Sequence, residues 1–217
     1  MKPAWETDPG PRLFIGIPTK GPVDMQWALA FASLIRNCPP HVISLNSAPA
    51  VDWARNALVE VFLGTTCEWF LWIDTDVMPP PDAFAKLSAK QLPIVSAVYR
   101  ARNVSFATQS MWPIVGGYFD RQVVDGHDTL VVKEVAGGWK PGEVIPVDAV
   151  GMGCVLMHRR VIEALDPPWF NYTMRYKWTK GKEWEREDWV SEDWYFFKKV
   201  KDAGFKVYLD TTVECTH

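Results

Sequence analysis

The run Trp69–Ile73 constrains the fold more than any other part of the chain, because it is apolar at all five positions. A strand of this kind is buried on both faces, as happens where helices cover both sides of a parallel sheet. An apolar run at 13–17 and a second predicted strand at 41–45 precede it, and segments with helical periodicity at 24–36 and 51–62 separate the three strands. The order strand–helix–strand–helix–strand predicts an α/β fold with a parallel sheet.

The rest of the chain alternates less regularly. We predict a short helix opened by Pro79-Pro80-Pro81-Asp82, a fourth strand, edge or antiparallel strands in the middle region and a terminal helix–strand pair. These elements lie at 82–90, 94–98, 113–119, 130–135, 192–203 and 205–209. At 217 residues and without a linker, the chain is predicted to form one domain with a tail at 1–11. The predicted fold class is α/β, a mostly parallel sheet flanked by helices, with a smaller antiparallel part.

Charge and cysteine usage narrow the classes of function. The net charge of -3 argues against a strongly basic nucleic-acid binder, although Arg100, Arg102, Arg159 and Arg160 form a candidate local basic surface. The chain has four cysteines and no C-x-x-C spacing, which favours buried thiols in a reducing compartment. The absence of an apolar N-terminal run or a membrane-length apolar run predicts a cytoplasmic protein without a transmembrane segment.

Asp74-Thr75-Asp76 follows the third predicted strand directly. In α/β sheets, ligands bind at the carboxyl ends of the strands. Two carboxylates spaced i, i+2 at a strand end can reach one divalent cation, and oxygen ligands suit Mg²⁺ or Mn²⁺. The alternative is a loop whose acids only cap the turn before Pro79.

Six segments resemble, in order and spacing, those of GT-A-fold glycosyltransferases, particularly the family-two group. They are FIGIPTKG, VDWARNALVEVFL, CEWFLWIDTDVMPPPDAFAKL, VDAVGMGCVLMHRRVIEAL, WVSEDWYFFKKVKDAGFKVYLD and TTVECTH. The third contains the apolar strand and the D-x-D motif, and the fifth contains an E-D pair before a helix. The resemblance covers most of residues 13–217. It implies a GT-A (Rossmann-like) fold with a nucleotide-binding half at about 12–98 and an acceptor-binding half at about 99–217.

The resemblance also implies a reaction, in which a sugar moves from a nucleotide-diphosphate sugar to an acceptor hydroxyl with the help of Mn²⁺ or Mg²⁺. Asp76 would be the direct metal ligand, Asp74 would contact the metal, a metal-bound water or the ribose, and His217 would be a further ligand. Asp193 would be the catalytic base, with Glu192 as the alternative, and a single base implies inversion. Against this, acids at a helix start are also favoured by the helix dipole and by capping.

The residues implied on the donor side are Pro18, Thr19, Lys20, Arg55, Asp74, Tyr99 and Arg100. A guanidinium at Arg55 matches phosphate oxygens, but a solvated helix arginine is an equal alternative. Tyr99 and Arg100 follow the fourth strand, and their alternative is an ordinary loop.

The residues implied on the acceptor side are Gly151, Gly153, Trp184 and Trp189. The two glycines suggest that a ligand or another part of the backbone approaches the chain closely at this point. The tryptophan-rich segment 176–189 is predicted to be a mobile loop that stacks on a sugar, or else a connector with half-buried tryptophans. The tryptophans and phenylalanine assigned to the core are Phe14, Trp27, Trp53, Trp69 and Trp72.

Two other functions compete with glycosyl transfer. A sugar-binding module or inactive relative would bind glycans without metal and without donor turnover. A phosphatase of the haloacid-dehalogenase type also places D-x-D after an apolar strand, but normally on its first strand. The acceptor stays open among a saccharide, a lipid carrier, a protein, a small metabolite and a modified nucleic-acid base.

Overall fold

A computed structural model describes residues 12–99, 116–124, 127–134, 140, 142–178 and 184–216. Its helices are α1 (Met25–Ile35), α2 (Val51–Leu63), α3 (Ala83–Ala89), α4 (Arg159–Glu163) and α5 (Glu192–Asp202). Its strands are β1 (Leu13–Thr19), β2 (His41–Ser47), β3 (Trp69–Ile73), β4 (Ile94–Val98), β5 (Gly116–Val124), β6 (His127–Glu134), β7 (Val144–Val147), β8 (Ala149–Val150), β9 (Cys154–His158), β10 (Thr173–Trp178), β11 (Trp184–Val190) and β12 (Val207–Glu214).

A seven-stranded mixed sheet organises the fold, in the order β2-β1-β3-β9-β4-β12-β7. Strands β2, β1, β3, β4 and β12 run in one direction, and β9 and β7 run against them. The predicted α/β class with a mostly parallel, helix-flanked sheet is confirmed. Because β1, β3 and β4 end at the same edge, the segments that follow them meet there.

Both faces of the sheet are covered, as the apolar run at β3 predicts. On one face, aromatic rings pack against each other. Phe70 stacks on Trp72 with centroids 3.9 Å apart, and Phe170 stacks on Phe196 at 4.6 Å. On the other face, side chains of β1 and β3 pack against α1 and α3. Strand β3 is therefore buried between two helical layers.

Helix α1 turns a different face to the sheet from the one predicted. The spacing of Met25, Leu29, Ala32 and Ile35 predicts an inward apolar stripe, yet Met25 and Leu29 are 75% and 65% exposed. Trp27 and Leu34, seven residues apart and so nearly two turns, face the core instead. Asp24, at the start of this periodic segment, is also the predicted N-cap. This is confirmed, because the Asp24 carboxylate accepts a hydrogen bond from the Gln26 N–H.

The assignment of Trp53 to the core is wrong, since its side chain is 63% exposed. Helix α2 buries Ala54, Leu58 and Phe62 together with the charged Asp52 and Arg55. That face leaves Trp53 on the opposite side of the helix. The arginine inside the protein and the tryptophan outside it reverse the ordinary order of burial.

Two antiparallel parts accompany the main sheet. Strand β5 pairs with β6 and with β8, and β10 pairs with β11. The segment predicted as a loop at 176–189 therefore lies largely within a two-stranded ribbon. The prediction of a loop is wrong for β10 and β11.

Arg159 does not contribute to a basic surface. Its guanidinium donates to the carbonyl oxygens of Leu63 (2.8 Å), Thr65 (2.9 Å) and Cys67 (3.2 Å), and to Glu163. The last carbonyls of a helix lack partners within the helix, so Arg159 satisfies the end of α2 and the turn after it. Arg100 and Arg102 lie outside the described residues.

Gly153, near the predicted site, lies in close contact with the side chains of Tyr99 and Val77. Its N–H donates to the Tyr99 hydroxyl oxygen at 2.9 Å, and its carbonyl accepts from the Asp74 N–H at 3.0 Å. A Cβ at this position would lie 2.7 Å from both the Tyr99 Cζ and the Val77 Cγ2. The close approach expected at the glycine pair is thus present at Gly153.

We expect Gly153→Ala to lower the free energy of unfolding by about 1–3 kcal/mol, the usual range for overpacking a tight interior. The buried Tyr99 ring and the branched Val77 side chain have little room to move aside. Chemical denaturation monitored by tryptophan fluorescence measures the change. Gly21→Ala is the matched control, because nothing lies within 4 Å of a Cβ built there. Equal stability of the two variants would contradict the packing argument.

Candidate active site

Four charged side chains from three separate elements meet at the carboxyl edge of the sheet. Arg55 comes from α2, Asp74 follows β3, and Glu192 and Asp193 begin α5. Arg55 Nη1 donates to Glu192 Oε1 at 2.7 Å and to Asp193 Oδ1, and Nη2 donates to Asp74 Oδ2 at 3.1 Å. One guanidinium thus joins the D-x-D motif to the E-D pair. The D-x-D motif is predicted at a ligand edge and the resemblance implies the base in the E-D pair, and the structure brings the two motifs together.

Arg55 is buried, with 3% of its side chain exposed, so the alternative of a solvated helix arginine is wrong. Its guanidinium carbon lies 5.7 Å from the centroid of the Phe170 ring. Burial lowers the pKa of Arg55, but the charges of Asp193, Asp74 and Glu192 outweigh burial and raise it above its usual value. The arginine is a permanent cation among three carboxylates, so the cluster is negative when all three are ionised.

Burial also changes the pKa values of the acids in this cluster. It raises the pKa of Asp193 to about 7, because the Arg55 charge offsets only part of the lost hydration and Glu192 and Asp74 add repulsion. Burial raises the pKa of Asp74 as well, with a contribution from the neighbouring charge of Asp76. Asp193 and Asp74 nevertheless reach solvent, with 20% and 23% of their side chains exposed. Partly buried acids with raised pKa values are typical of catalytic sites.

The E-D pair does not cap α5. Ser191 does so, since its hydroxyl accepts a hydrogen bond from the Trp194 N–H. The two carboxylates therefore turn to Arg55, and Asp193 Oδ2 also accepts from the Met152 N–H at 3.3 Å. Favourable interaction with the helix dipole remains, but capping does not explain these acids.

The D-x-D segment is held from three sides. The Asp74 carbonyl accepts from the Trp27 Nε1–H at 2.9 Å and from the Val77 N–H at 3.2 Å, and the Asp74 N–H donates to Gly153. Two residues after Asp76, Met78 forms an antiparallel bridge with Thr216. The end of the chain thus lies beside the D-x-D segment.

Two of the three residues predicted to hold a metal ion, Asp74 and Asp76, lie in the described part of the chain. Asp74 and Asp76 are both partly exposed at the sheet edge, and the charge of Asp76 contributes to the raised pKa of Asp74. His217 lies outside the described residues. Among the residues that are described, no group of three or more His, Cys, Asp and Glu side chains is arranged to hold a metal ion.

The other predicted donor-side residues lie at the ends of β1 and β4. Pro18 is buried, Thr19 is half-buried with its hydroxyl donating to the Gly21 carbonyl, and Lys20 is exposed. Tyr99 is buried beside Gly153, and burial, followed by the charges of Asp74 and Asp193, raises its pKa well above the usual value. Arg100 lies outside the described residues.

On the acceptor side, Gly151 is buried and follows β8, next to the Met152 N–H that reaches Asp193. The backbone of Trp184 and Trp189 belongs to β11, and their side chains lie outside the described part of the chain. The two glycines thus lie beside the Arg55 cluster, and the acceptor-side role of the glycines and of the two tryptophans stays a prediction.

Three groups at the site escape sequence interpretation. Trp27 is buried as predicted, but its indole N–H also holds the Asp74 carbonyl. The Met152 N–H is a backbone group and leaves no signal in residue type. The Tyr172 hydroxyl hydrogen-bonds to Glu192, and burial and that bond raise the pKa of the phenol. Tyr172 lies in a stretch rich in aromatic residues, where nothing singles it out.

The solved structures to which this one is similar include two of low sequence identity. A197 from STIV superposes with a TM-score of 0.61 at 18% identity, covering 94% of this chain and 84% of that one. GalNAc-T7, solved with UDP, GalNAc and Mn²⁺, superposes with a TM-score of 0.56 at 11% identity, covering 97% of this chain and 44% of that one. This chain therefore spans less than half of the GalNAc-T7 chain. Protein-family models and curated protein sequences give no match. The similarity shows a GT-A-like fold.

Within the described residues, none of the helices combines the length and apolar character needed to cross a membrane.

Proposed function

We propose that the chain is a metal-dependent glycosyltransferase that moves a sugar from a nucleotide-diphosphate sugar to an acceptor hydroxyl. The observation that carries the proposal is the joining of Asp74 to Asp193 through Arg55, at the carboxyl edge of a GT-A-like sheet. A donor-side acid and a candidate base thus lie within reach of one bound substrate. Residues 12–98 would hold the donor and 99–217 the acceptor.

The D-x-D carboxylates fit a divalent cation chemically. Both present oxygen atoms, which Mg²⁺ and Mn²⁺ prefer, and the charge of Asp76 disfavours ionisation of Asp74 in the free protein. A cation relieves this repulsion between neighbouring carboxylates. We propose Asp76 as the direct ligand, Asp74 as a ligand or a contact to the ribose, and His217 as a further ligand next to Thr216. When bound, the cation supplies charge that stabilises the departing nucleotide diphosphate.

Asp193 is better suited than Glu192 to act as the base. A general base works best when its pKa lies near the pH of the reaction, and the pKa of Asp193 is raised to about 7. Asp193 is also the more exposed of the two, at 20% against 8%. Glu192 instead contacts Arg55 and Tyr172. In the proposed reaction Asp193 takes the proton of the acceptor hydroxyl, and attack on the face opposite the leaving group gives inversion.

Arg55 would act by positioning these acids. It fixes Asp193 relative to Asp74, and so fixes the base relative to the donor side. A direct contact of Arg55 with the donor diphosphate, which the sequence also suggests, would require it to give up part of its contact with Asp74.

The remaining assignments extend the proposal along the sheet edge. Pro18, Thr19 and Lys20, at and just after the end of β1, would line the pocket for the base of the nucleotide. Tyr99 would support the donor site through Gly153, which hydrogen-bonds to both the Tyr99 hydroxyl and the Asp74 N–H. Arg100 follows Tyr99 in the chain. Gly151, Gly153, Trp184 and Trp189 would form the acceptor side.

We expect a nucleoside diphosphate to raise the melting temperature only when a divalent cation is present. UDP, GDP, dTDP and CDP, each with Mn²⁺, Mg²⁺ or EDTA, form the panel. At one hundred times the dissociation constant, binding to the folded state adds about 2.7 kcal/mol to the free energy of unfolding. Asp76→Asn should abolish this gain because it removes the proposed direct ligand.

Asp202→Asn is the control for that variant, since Asp202 is an exposed acid at the far end of α5, paired with Lys198. It should leave the metal-dependent shift unchanged. A shift that survives Asp76→Asn would contradict the metal assignment. No shift with any nucleotide would contradict the donor site itself and favour a sugar-binding module.

A further inference from the structure

Strand β2 forms one edge of the main sheet and is unusually open for such a position. Within the described residues it pairs with β1 on one side and has no neighbouring strand on the other. Natural proteins protect an edge strand with Lys, Pro, a bulge or a short length. The seven residues of β2, HVISLNS, contain no Lys, Arg, Asp, Glu or Pro. The opposite edge follows the rule, because β7 has four residues and includes Pro146.

Apolar side chains are exposed on one face of this edge. Ile43 and Leu45 are 38% and 59% exposed. The register pairs them with Ile15 and Ile17 of β1, both fully buried, so all four lie on the same face of the sheet. The apolar layer that covers the sheet thus continues to this edge, where none of the described residues covers Ile43 and Leu45 completely.

Helix α2 presents a second apolar stripe, on the other face of the sheet. Trp53 and Val61 are 63% and 47% exposed, and the half-buried Ala57 lies between them at the i+4 spacing that aligns side chains on a helix. Two contacts orient the helix. Arg55 reaches Asp74 beyond β3, and Asn56 donates to the Phe170 carbonyl. The stripe lies on the side of α2 opposite to these two contacts, so it faces the free edge of the sheet or solvent.

We propose that β2 is the interface of a symmetric dimer, in which it pairs with β2 of a second copy of this chain. Antiparallel pairing about a two-fold axis through Ser44 sets Ile43 opposite Leu45 of the second copy, and Leu45 opposite Ile43. Each uncovered apolar side chain then meets an apolar partner. A strand that is its own complement in this way fits the isologous interface of a two-fold dimer.

The helices fit the same arrangement. Helix α2 packs against both β1 and β2. With strands about 4.8 Å apart, its axis lies about 5 Å from the two-fold axis, and the two copies of α2 lie about 10 Å apart. Packed helices are separated by about 8–10 Å, and a small residue such as Ala57 permits that approach.

The proposed pairing brings no like charges together at the axis, since the seven residues of β2 contain no Lys, Arg, Asp or Glu.

Analytical ultracentrifugation of the full chain tests the proposal. The wild type should sediment as a dimer of the 24.7 kDa chain and dissociate on dilution. Leu45→Lys should shift the protein to monomer, because it sets a charge into the apolar contact. Leu29→Lys is the matched control, since Leu29 is similarly exposed at 65% but points away from the sheet. A monomeric wild type, or equal effects of the two variants, would overturn the interface.

Cross-linking tests the register independently of any effect on stability. In the dimer Ser44 lies opposite itself, with the Cα atoms about 4.5–5.5 Å apart, within the range of a disulfide. Ser44→Cys should therefore form a covalent dimer in high yield on mild oxidation with diamide. Val42→Cys should not, because Val42 lies opposite Asn46 and the two Val42 residues are far apart. Equal yields from both variants, or from the wild type with its native cysteines, would overturn the proposed pairing.

Discussion

Replacing Arg55 with methionine is expected to lower the free energy of unfolding by about 3–5 kcal/mol, the range for removing one partner of a buried ion pair. Methionine fills a similar volume but leaves Asp74, Glu192 and Asp193 without the charge that compensates them. For a chain of this length, each kcal/mol corresponds to about 2–4 °C in melting temperature. We therefore expect a fall of about 6–20 °C by scanning calorimetry.

Two variants separate charge from shape in this experiment. Arg36→Met removes an exposed arginine at the end of α1 and should change the free energy of unfolding by less than about 0.5 kcal/mol. Arg55→Lys keeps the cation but loses the fork that serves several carboxylates at once, so its stability should lie between those of the wild type and Arg55→Met.

The loss caused by Arg55→Met should shrink as the pH falls. Burial and mutual repulsion already raise the pKa values of Asp74 and Asp193, so these acids take up protons in the folded state before the unfolded state does. Without Arg55 they should do so at still higher pH. Below about pH 4 the carboxylates are largely neutral in both states, and the variant no longer holds unpaired buried charges. A loss of equal size at pH 4.5 and pH 8 would contradict the electrostatic explanation.

Much of the fold is predictable because it depends on local patterns. Strand β3 is apolar at every position, since both of its faces are covered, and the structure reproduces its bounds at residues 69 and 73. The cap of α1 at Asp24 and the end of α5 before Gly204 follow from single residues. Gly204 has φ +82°, a conformation that glycine adopts without strain.

The errors arise where tertiary contacts override a local pattern. Met25 and Leu29 satisfy helical periodicity as well as Trp27 and Leu34 do, and only packing on the sheet decides between the two faces. The ribbon of β10 and β11 shows the reverse case. Met174, Tyr176 and Trp178 alternate with polar residues as a strand requires, but the surrounding charges favour the interpretation as a loop.

The centre of the site is not predictable in the same way. Arg55 and Asp193 lie 138 positions apart, and no spacing or motif connects them. The sequence does suggest that both lie near ligands, because a guanidinium suits the donor phosphates and the resemblance assigns the base to the E-D pair. That Arg55 joins the two acidic motifs follows only from the way the sheet brings α2 and α5 to the same edge.

Asp193→Asn is expected to reduce the rate of glycosyl transfer by about 10²–10⁴-fold, the usual contribution of a general base, once the donor is identified from the nucleotide panel. Asparagine keeps the shape and the hydrogen-bond acceptor for Arg55 but cannot take a proton. Binding of the nucleotide diphosphate with Mn²⁺ should be unchanged, since the D-x-D residues are intact. Steady-state kinetics and the thermal shift measure the two effects separately.

Glu192→Gln is the matched control, because it makes the same chemical change at the adjacent residue of the same helix turn. It should reduce transfer far less than Asp193→Asn does. The reverse order would assign the base to Glu192, and equal large losses would indicate that the pair acts on the structure of the site rather than as a base.

The dependence on pH distinguishes a base from a structural acid. Since the pKa of Asp193 is about 7 in the free protein, kcat/KM of the wild type should rise with pH and level off above about pH 7. The same raised pKa makes the folded state bind the proton more tightly than the unfolded state, so the contribution of Asp193 to stability falls between about pH 4 and pH 7. Asp193→Asn should remove the rise in activity and lessen the fall in stability, of which Asp74, whose pKa is also raised, keeps a part. If kcat/KM rises while the contribution of Asp193 to stability falls over the same pH interval, Asp193 is ionised against the preference of its surroundings. A buried catalytic base must be ionised in this way.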